Sequence, residues 1–252
     1  MGNTFPMSLG GAQERAACLR RRFAPLVSLH GRSSKTISVF KEIDAALPWR
    51  GLPLGCVHEV QSVGLASAIA FASLLAARLP TPAGQMVYVS SGRGFHAIGL
   101  LPFGIQPERW IHVSARRSQD LAWATLEALR CARVGVVLSE LRTADLTLCR
   151  RFQLAAEENG TTCFLLNEGR GTSAIASVIT RWQIAPSVAP SRAAFDEPCW
   201  DIALSYCRGG RPGHWGVAWR NAQLELVEPA TKMAAVKTAE SVRFIAAKKL
   251  AG

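Results

Sequence analysis

The chain has 252 residues, 49% of them hydrophobic, and a formal net charge of +11 at pH 7. No apolar run approaches the roughly 20 residues of a membrane-spanning helix, and the opening MGNTFPMSLGG lacks the basic-then-apolar order of a signal peptide. A cytoplasmic protein built as one α/β domain with extensions is expected. Pro6 stands where N-myristoylation wants Ser or Thr.

Seven cysteines lie far apart, with no C-x-x-C and no histidine pair nearby. That spacing argues against zinc and against a disulfide framework, so reduced thiols are expected. Residues 1–35 hold six basic side chains and one acidic, against five and three in 223–252. Basicity is therefore concentrated at the N-terminal end, where contact with nucleic acid or an acidic partner would begin. A solvated basic helix explains the same charge.

In chain order, AQERAACLRRRFA places Ala16, Leu19 and Phe23 at helical spacing with Arg20, Arg21 and Arg22 between them. A polar link, His30–Thr36, leads into GLPLGCVHEVQSVGLASAIAFASLLAARL. This stretch predicts a strand at Cys56–Val60, a turn at Gln61–Gly64 and an apolar helix at Leu65–Leu79. Strand, glycine turn and helix make the framework of a phosphate-binding loop, which requires G-x(4)-G-K-[ST]. Its eight places hold Ser62, Val63, Gly64, Leu65, Ala66, Ser67, Ala68 and Ile69, with no lysine and no terminal hydroxyl.

Strands follow at Met86–Ser90, Trp110–Ser114, Val134–Ser139 and Cys163–Asn167, with a short helix at Phe95–Leu101. Longer helices are predicted at Ser118–Arg130, N-capped by Ser118 with Asp120 in its first turn, and at Ala144–Glu158, closed by Asn159-Gly160. Apolar strands alternating with helices indicate a mostly parallel sheet covered on both faces. After a short loop at Gly169–Ser173, Val178–Ala185, Cys199–Cys207 and Gly213–Trp219 read as an antiparallel meander, with turn chemistry between Cys207 and Gly213. From Glu228 the chain is rich in alanine and lysine and reads as a mobile tail. The division expected is a basic N-terminal segment 1–35, a core 36–222 and a tail 223–252.

Trp182, Trp200, Trp215 and Trp219 fall on the meander, where alternate positions either fill a core or form an aromatic face for a protein partner. Arg208, Arg211 and Trp215 beside the turn, the Arg20–Arg22 cluster, and Phe244 and Lys248 of the tail are the candidate partner contacts. His58 and His96 read as structural, and Ser90-Ser91-Gly92 has the wrong setting for a nucleophile elbow.

Read in order, ISVFKEIDAALPWRGLPLGCVHEV, MVYVSSGRGFHAIGLLPFGIQPERWIHVS and SQDLAWATLEALRCARVGVVLSELRTADL resemble the RecA recombinase core over roughly residues 36–222. GLPLGCVHEV, Ser139-Glu140-Leu141-Arg142, DLTLCRRFQLAAEENG, TRWQIAP and CRGGRPGHW make the chain similar to the ImuA family, which is both RecA-like and SulA-like. By this resemblance the phosphate-loop Lys and Thr fall on Ala68 and Ile69, and the water-activating glutamate on about Gly92. The acid ending the Walker B strand falls on Glu140, which also reads as a structural partner of Arg142. The γ-phosphate sensor falls near Glu168, and the DNA-gripping loop has contracted to Glu168–Ser173 with Arg170 its one basic residue.

The resemblance implies a degenerate ATPase without cofactor and an accessory role in SOS-induced, error-prone translesion synthesis. Implied partners are ImuB, an inactive Y-family polymerase homologue, an error-prone C-family DNA polymerase, and RecA, with nucleoid association in the complex. It also leaves room for a SulA-like inhibitor of the tubulin-like division protein, and for a residual nucleotide- or DNA-binding module.

Overall fold

The structure, a computed structural model, describes residues 35–79, 84–92, 96–141, 144–169, 178–187, 198–220 and 223–227. The expected N-terminal helix with Arg20, Arg21 and Arg22, most of the link after it, Arg142, Arg170 and the tail with Phe244 and Lys248 lie outside the described residues.

The entry segment comprises β1 (Thr36–Ile37), α1 (Lys41–Ala46) and β2 (Leu52–Pro53), with β1 and β2 paired antiparallel. Asp44 ties it together by accepting hydrogen bonds from Ser38 Oγ at 2.6 Å and Val39 N at 2.9 Å. The main sheet then builds through β3 (Val57–Ser62), α2 (Leu65–Ala77) and β4 (Gln85–Ser90). Two 3-10 turns, Ala97–Phe103 and Pro107–Arg109, precede β5 (Trp110–Ser114). Next come α3 (Ser118–Arg130), β6 (Val134–Ser139), α4 (Leu146–Asn159) and β7 (Thr162–Glu168). The chain ends its described course with β8 (Thr180–Ser187), β9 (Cys199–Cys207), β10 (Gly213–Arg220) and β11 (Gln223–Val227).

These nine strands form one sheet in the order β11-β10-β9-β8-β3-β7-β6-β4-β5. From β5 to β8 every pairing is parallel, and from β8 to β11 every pairing is antiparallel. This is the expected α/β, RecA-like class with an antiparallel extension. Parallel neighbours need crossovers, which α3 and α4 supply on one face and α2 on the other. β3 and β6 are consequently buried along their whole length.

Two apolar layers hold the helices to the sheet. On the α2 side Phe71, Leu74 and Leu75 pack with Val60, Tyr88, Leu138, Phe164 and Trp182, and the Phe71 and Trp182 rings lie 5.7 Å apart. On the other side Leu126, Leu129 and Phe152 pack with Val57, Val87, Val137 and Leu165. Each such side chain, fully buried, contributes about 1.5–3 kcal/mol.

Several expectations need correction. Gln61 and Ser62 are strand residues, because β3 continues in register with Asn167 and Glu168 of β7. α3 is capped by the extended backbone of Arg117 rather than by Ser118, with no side-chain cap; Arg117 Nε instead meets Asp120 Oδ2 at 2.9 Å. α4 begins two residues later than expected, where Asp145 Oδ1 accepts from Leu148 N at 2.7 Å, and Gly160 closes it at φ 72°. β8 is not a meander strand alone, since it pairs parallel with β3 and antiparallel with β9. Gln223–Val227 pairs with β10, so the sheet runs past residue 222.

The aromatic-face reading of the meander tryptophans is also corrected. Trp182 is 0% exposed and Trp200 5%, and Trp215 and Trp219 are half-buried against the same core. Alternation put them inward because both faces of this sheet are covered.

Candidate functional site

The carboxyl ends of the parallel strands are where an α/β sheet of this kind presents its ligand crevice. At the end of β3 the chain turns into α2 through Val63 and Gly64 alone. Ser62 Oγ donates to Gly64 O at 2.7 Å and Ser67 N to the same oxygen at 3.3 Å, so the turn closes on itself. A phosphate loop instead sets six residues between strand and helix, their amides facing an anion. Here four of those six places, Leu65, Ala66 and Ser67 at the end and Ser62 at the start, belong to regular structure. Ala68 is fully buried in the core and Ile69 packs against it.

Carboxylates gather at the same end. Glu168 ends β7 opposite Ser62, and Glu140 follows β6. Glu140 is buried, accepting the Tyr88 hydroxyl and, at 3.4 Å, the Ser91 amide. Burial first, and then the bond to Glu140 and its charge, push the Tyr88 phenol well above its ordinary value. Beside this pair Ser90 Oγ lies 2.7 Å from His112 Nε2 and accepts from Gly92 N at 3.1 Å. Gly92 has φ 90°, and a Cβ there would lie 2.8 Å from Ser114 Oγ. A glutamate at this position would strain the backbone and crowd β5.

A second polar cluster, missed in the sequence reading, lies on the opposite face of the same strands. Glu59 is fully buried in β3, and its Oε2 meets Arg181 Nε of β8 at 2.6 Å. Its Oε1 accepts from Gln61 Nε2 at 3.0 Å and from Asn167 Nδ2 of β7 at 2.8 Å. Register explains the meeting: Glu59 pairs with Arg181, and Gln61 with Asn167. The Arg181 guanidinium also lies 5.9 Å from the Tyr206 ring centre. The visible signal was a charged residue at alternate positions of two otherwise apolar strands, HEV and TRW.

The remaining candidates sit at the other end of the sheet. β9 and β10 turn back beside the amino ends of β3 and β8, so Arg208, Arg211 and Trp215 are a strand length away from Ser62, Gly64, Glu140 and Glu168. Arg208 is half-buried and its amide donates to Ile179 O at 2.9 Å, whereas Arg211 is exposed. Trp215 folds its ring over Gly213, where a Cβ would lie 2.3 Å from Trp215 Cη2. Nearby, His58 is enclosed in β3: Nδ1 lies 2.7 Å from Thr180 Oγ1 and Nε2 2.9 Å from Pro53 O. Burial pulls its pKa down to about 4, partly offset by the Pro53 carbonyl.

Among the described residues the cysteines are free, and no three His, Cys, Asp or Glu side chains are grouped to hold a metal ion. No described helix is long and apolar enough to cross a membrane. The two sets of groups at the strand ends therefore hold strands together through Tyr88–Glu140 and Glu59–Arg181, with acidic rather than basic side chains around the closed turn.

No family model matches the chain. Over 192 residues it is 35% identical to protein ImuA of Caulobacter vibrioides strain NA1000 / CB15N, an alignment covering 69% of this chain and 78% of that protein. Protein ImuA of Caulobacter vibrioides strain ATCC 19089 / CIP 103742 / CB 15 matches to the same extent, 35% over 192 residues. At that identity and coverage, and with the RecA-like sheet described above, the chain belongs to the ImuA family.

Proposed function

We propose that this chain is a non-catalytic accessory protein of SOS-induced, error-prone translesion synthesis, acting through protein–protein contacts. The observation that carries the reading is Ala68. Phosphoryl transfer depends on positioned positive charge and a metal ion, and the place for the phosphate-loop lysine holds a fully buried alanine. The closed turn at Val63 and Gly64, the crowding at Gly92 and the carboxylate of Glu168 support the same conclusion, since each disfavours a bound nucleotide.

An ATPase fold without an ATP site retains value as a shaped surface. The partners proposed are ImuB, RecA and the error-prone C-family polymerase, met in the cytoplasm and carried to the nucleoid in complex. Arg20, Arg21, Arg22, Arg208, Arg211, Trp215, Phe244 and Lys248 are the contacts proposed from the sequence.

The test is association of the purified chain with ImuB, and separately with RecA, by size exclusion with light scattering, each with and without ATP. A complex with ImuB that forms equally without ATP is expected. No association with either protein, or an ATP requirement traced to this chain, overturns the reading. Co-sedimentation with polymers of the tubulin-like division protein would move the chain to the SulA-like class instead.

A further inference from the structure

On the sheet face opposite α2, helices α3 and α4 pack side by side. α3 satisfies the core with Leu121, Thr125, Leu126 and Leu129, and α4 with Cys149, Phe152, Gln153, Ala155 and Ala156. Their outward arcs are not ordinary solvated faces. Trp123 is 66% exposed, and Leu146 and Leu154 are 60% and 49% exposed, making this the most open apolar surface described.

The helices run in the same direction, because both cross over between parallel strands. Trp123 is the sixth residue of α3, and Arg150 and Arg151 are the fifth and sixth of α4. At 1.5 Å per residue they stand at about the same height, on axes about 8–10 Å apart. Leu146, Arg150 and Leu154 follow one another at four-residue spacing, one above the next.

Charge completes the pattern. Arg117 pairs with Asp120, and Arg130 with Glu127. Asp145 is used as a helix cap, and Glu157 accepts from Gln153. Arg150 and Arg151 are exposed and make no ion pair among the described residues. A tryptophan beside unpaired arginines, with leucines above and below, is the composition of an interface anchor.

We infer that the α3–α4 face docks an acidic amphipathic helix of a partner protein. Its apolar ridge lies along Leu146 and Leu154 against Trp123, and its carboxylates meet Arg150 and Arg151. A phosphate backbone is the poorer occupant, because aliphatic side chains have nothing to offer it and two free arginines neutralise few phosphates. This assignment rests on the adaptor role proposed above and supplies its surface.

The experiment measures binding of full-length chain to immobilised ImuB for wild type, Trp123→Ala, Leu154→Arg, the double variant Arg150→Glu/Arg151→Glu, and Lys41→Glu on the distant α1. Trp123→Ala is expected to weaken binding about 30-fold. The double reversal slows association and flattens its salt dependence, while Lys41→Glu binds as wild type. Far-UV circular dichroism and melting check each fold, and Leu154→Arg gives an independent reading should Trp123→Ala melt early. If wild type binds and all three surface variants bind equally well, this surface is wrong and the adaptor role stands. If wild type itself does not bind, both fall. If the variants lose only labelled duplex DNA, the face serves nucleic acid and the proposal is overturned.

Discussion

Arg181→Met removes the cation from a buried pair and leaves the rest of the fold untouched. Glu59 is fully buried, and the arginine side chain facing it at 2.6 Å is 16% exposed. Removing one partner of such a pair costs about 3–5 kcal/mol, since a carboxylate remains in a low-dielectric interior. Gln61 and Asn167 still donate to Oε1, which favours the lower end, about 3 kcal/mol. With a urea m-value of about 3 kcal/mol/M, the midpoint falls by about 1 M. Trp182, the next residue along β8 and fully buried, reports the transition by fluorescence. Adding Glu59→Gln to Arg181→Met removes the stranded charge and should recover at least half of the loss. A single variant within about 0.5 kcal/mol of wild type would refute the argument, placing the pair among those with no measurable net contribution.

Four further outcomes are expected. Ala68→Lys, which puts a long cation into a fully buried alanine site, should lower stability by at least about 3 kcal/mol in urea denaturation and confer no binding of a fluorescent ATP analogue. Asp145→Ala removes the α4 cap and costs about 1 kcal/mol, a melting decrease of about 2–4 °C. Because the folded pKa of His58 is pulled by burial from 6.5 to about 4, the unfolded chain binds the extra proton. Stability is then full above the unfolded pKa and falls by about 3 kcal/mol as pH drops from about 6.5 to about 4; His58→Gln should flatten that slope in urea titrations at successive pH values. Deleting residues 229–252, beyond the last described strand, should weaken the ImuB complex in light scattering and leave the urea midpoint unchanged; equal affinity removes the tail from the interface.

The sequence alone determined the strands at Trp110–Ser114, Val134–Ser139 and Cys199–Cys207 and the helix at Ser118–Arg130, each observed with those ends. Short apolar runs bounded by turn residues, and a periodic amphipathic helix, carry their instructions locally. It also showed that Ala68 and Ile69 stand where phosphate chemistry needs lysine and threonine, because residue identity is enough for that. It did not show that Gln61 and Ser62 are strand, since polar residues are held extended there only by pairing with Asn167 and Glu168. Nor did it place Gln223–Val227, whose alternation acquires meaning only against β10.

What tertiary structure decided was which residues face one another. Glu59 and Arg181 are 122 positions apart in sequence and adjacent across β3 and β8. Trp182 and Trp200 went inward while Trp123, unremarked on its helix, came out. Periodicity gives each element a polar and an apolar side, but strand order decides which sides are covered, and burial then sets the energetic value of every charge and ring.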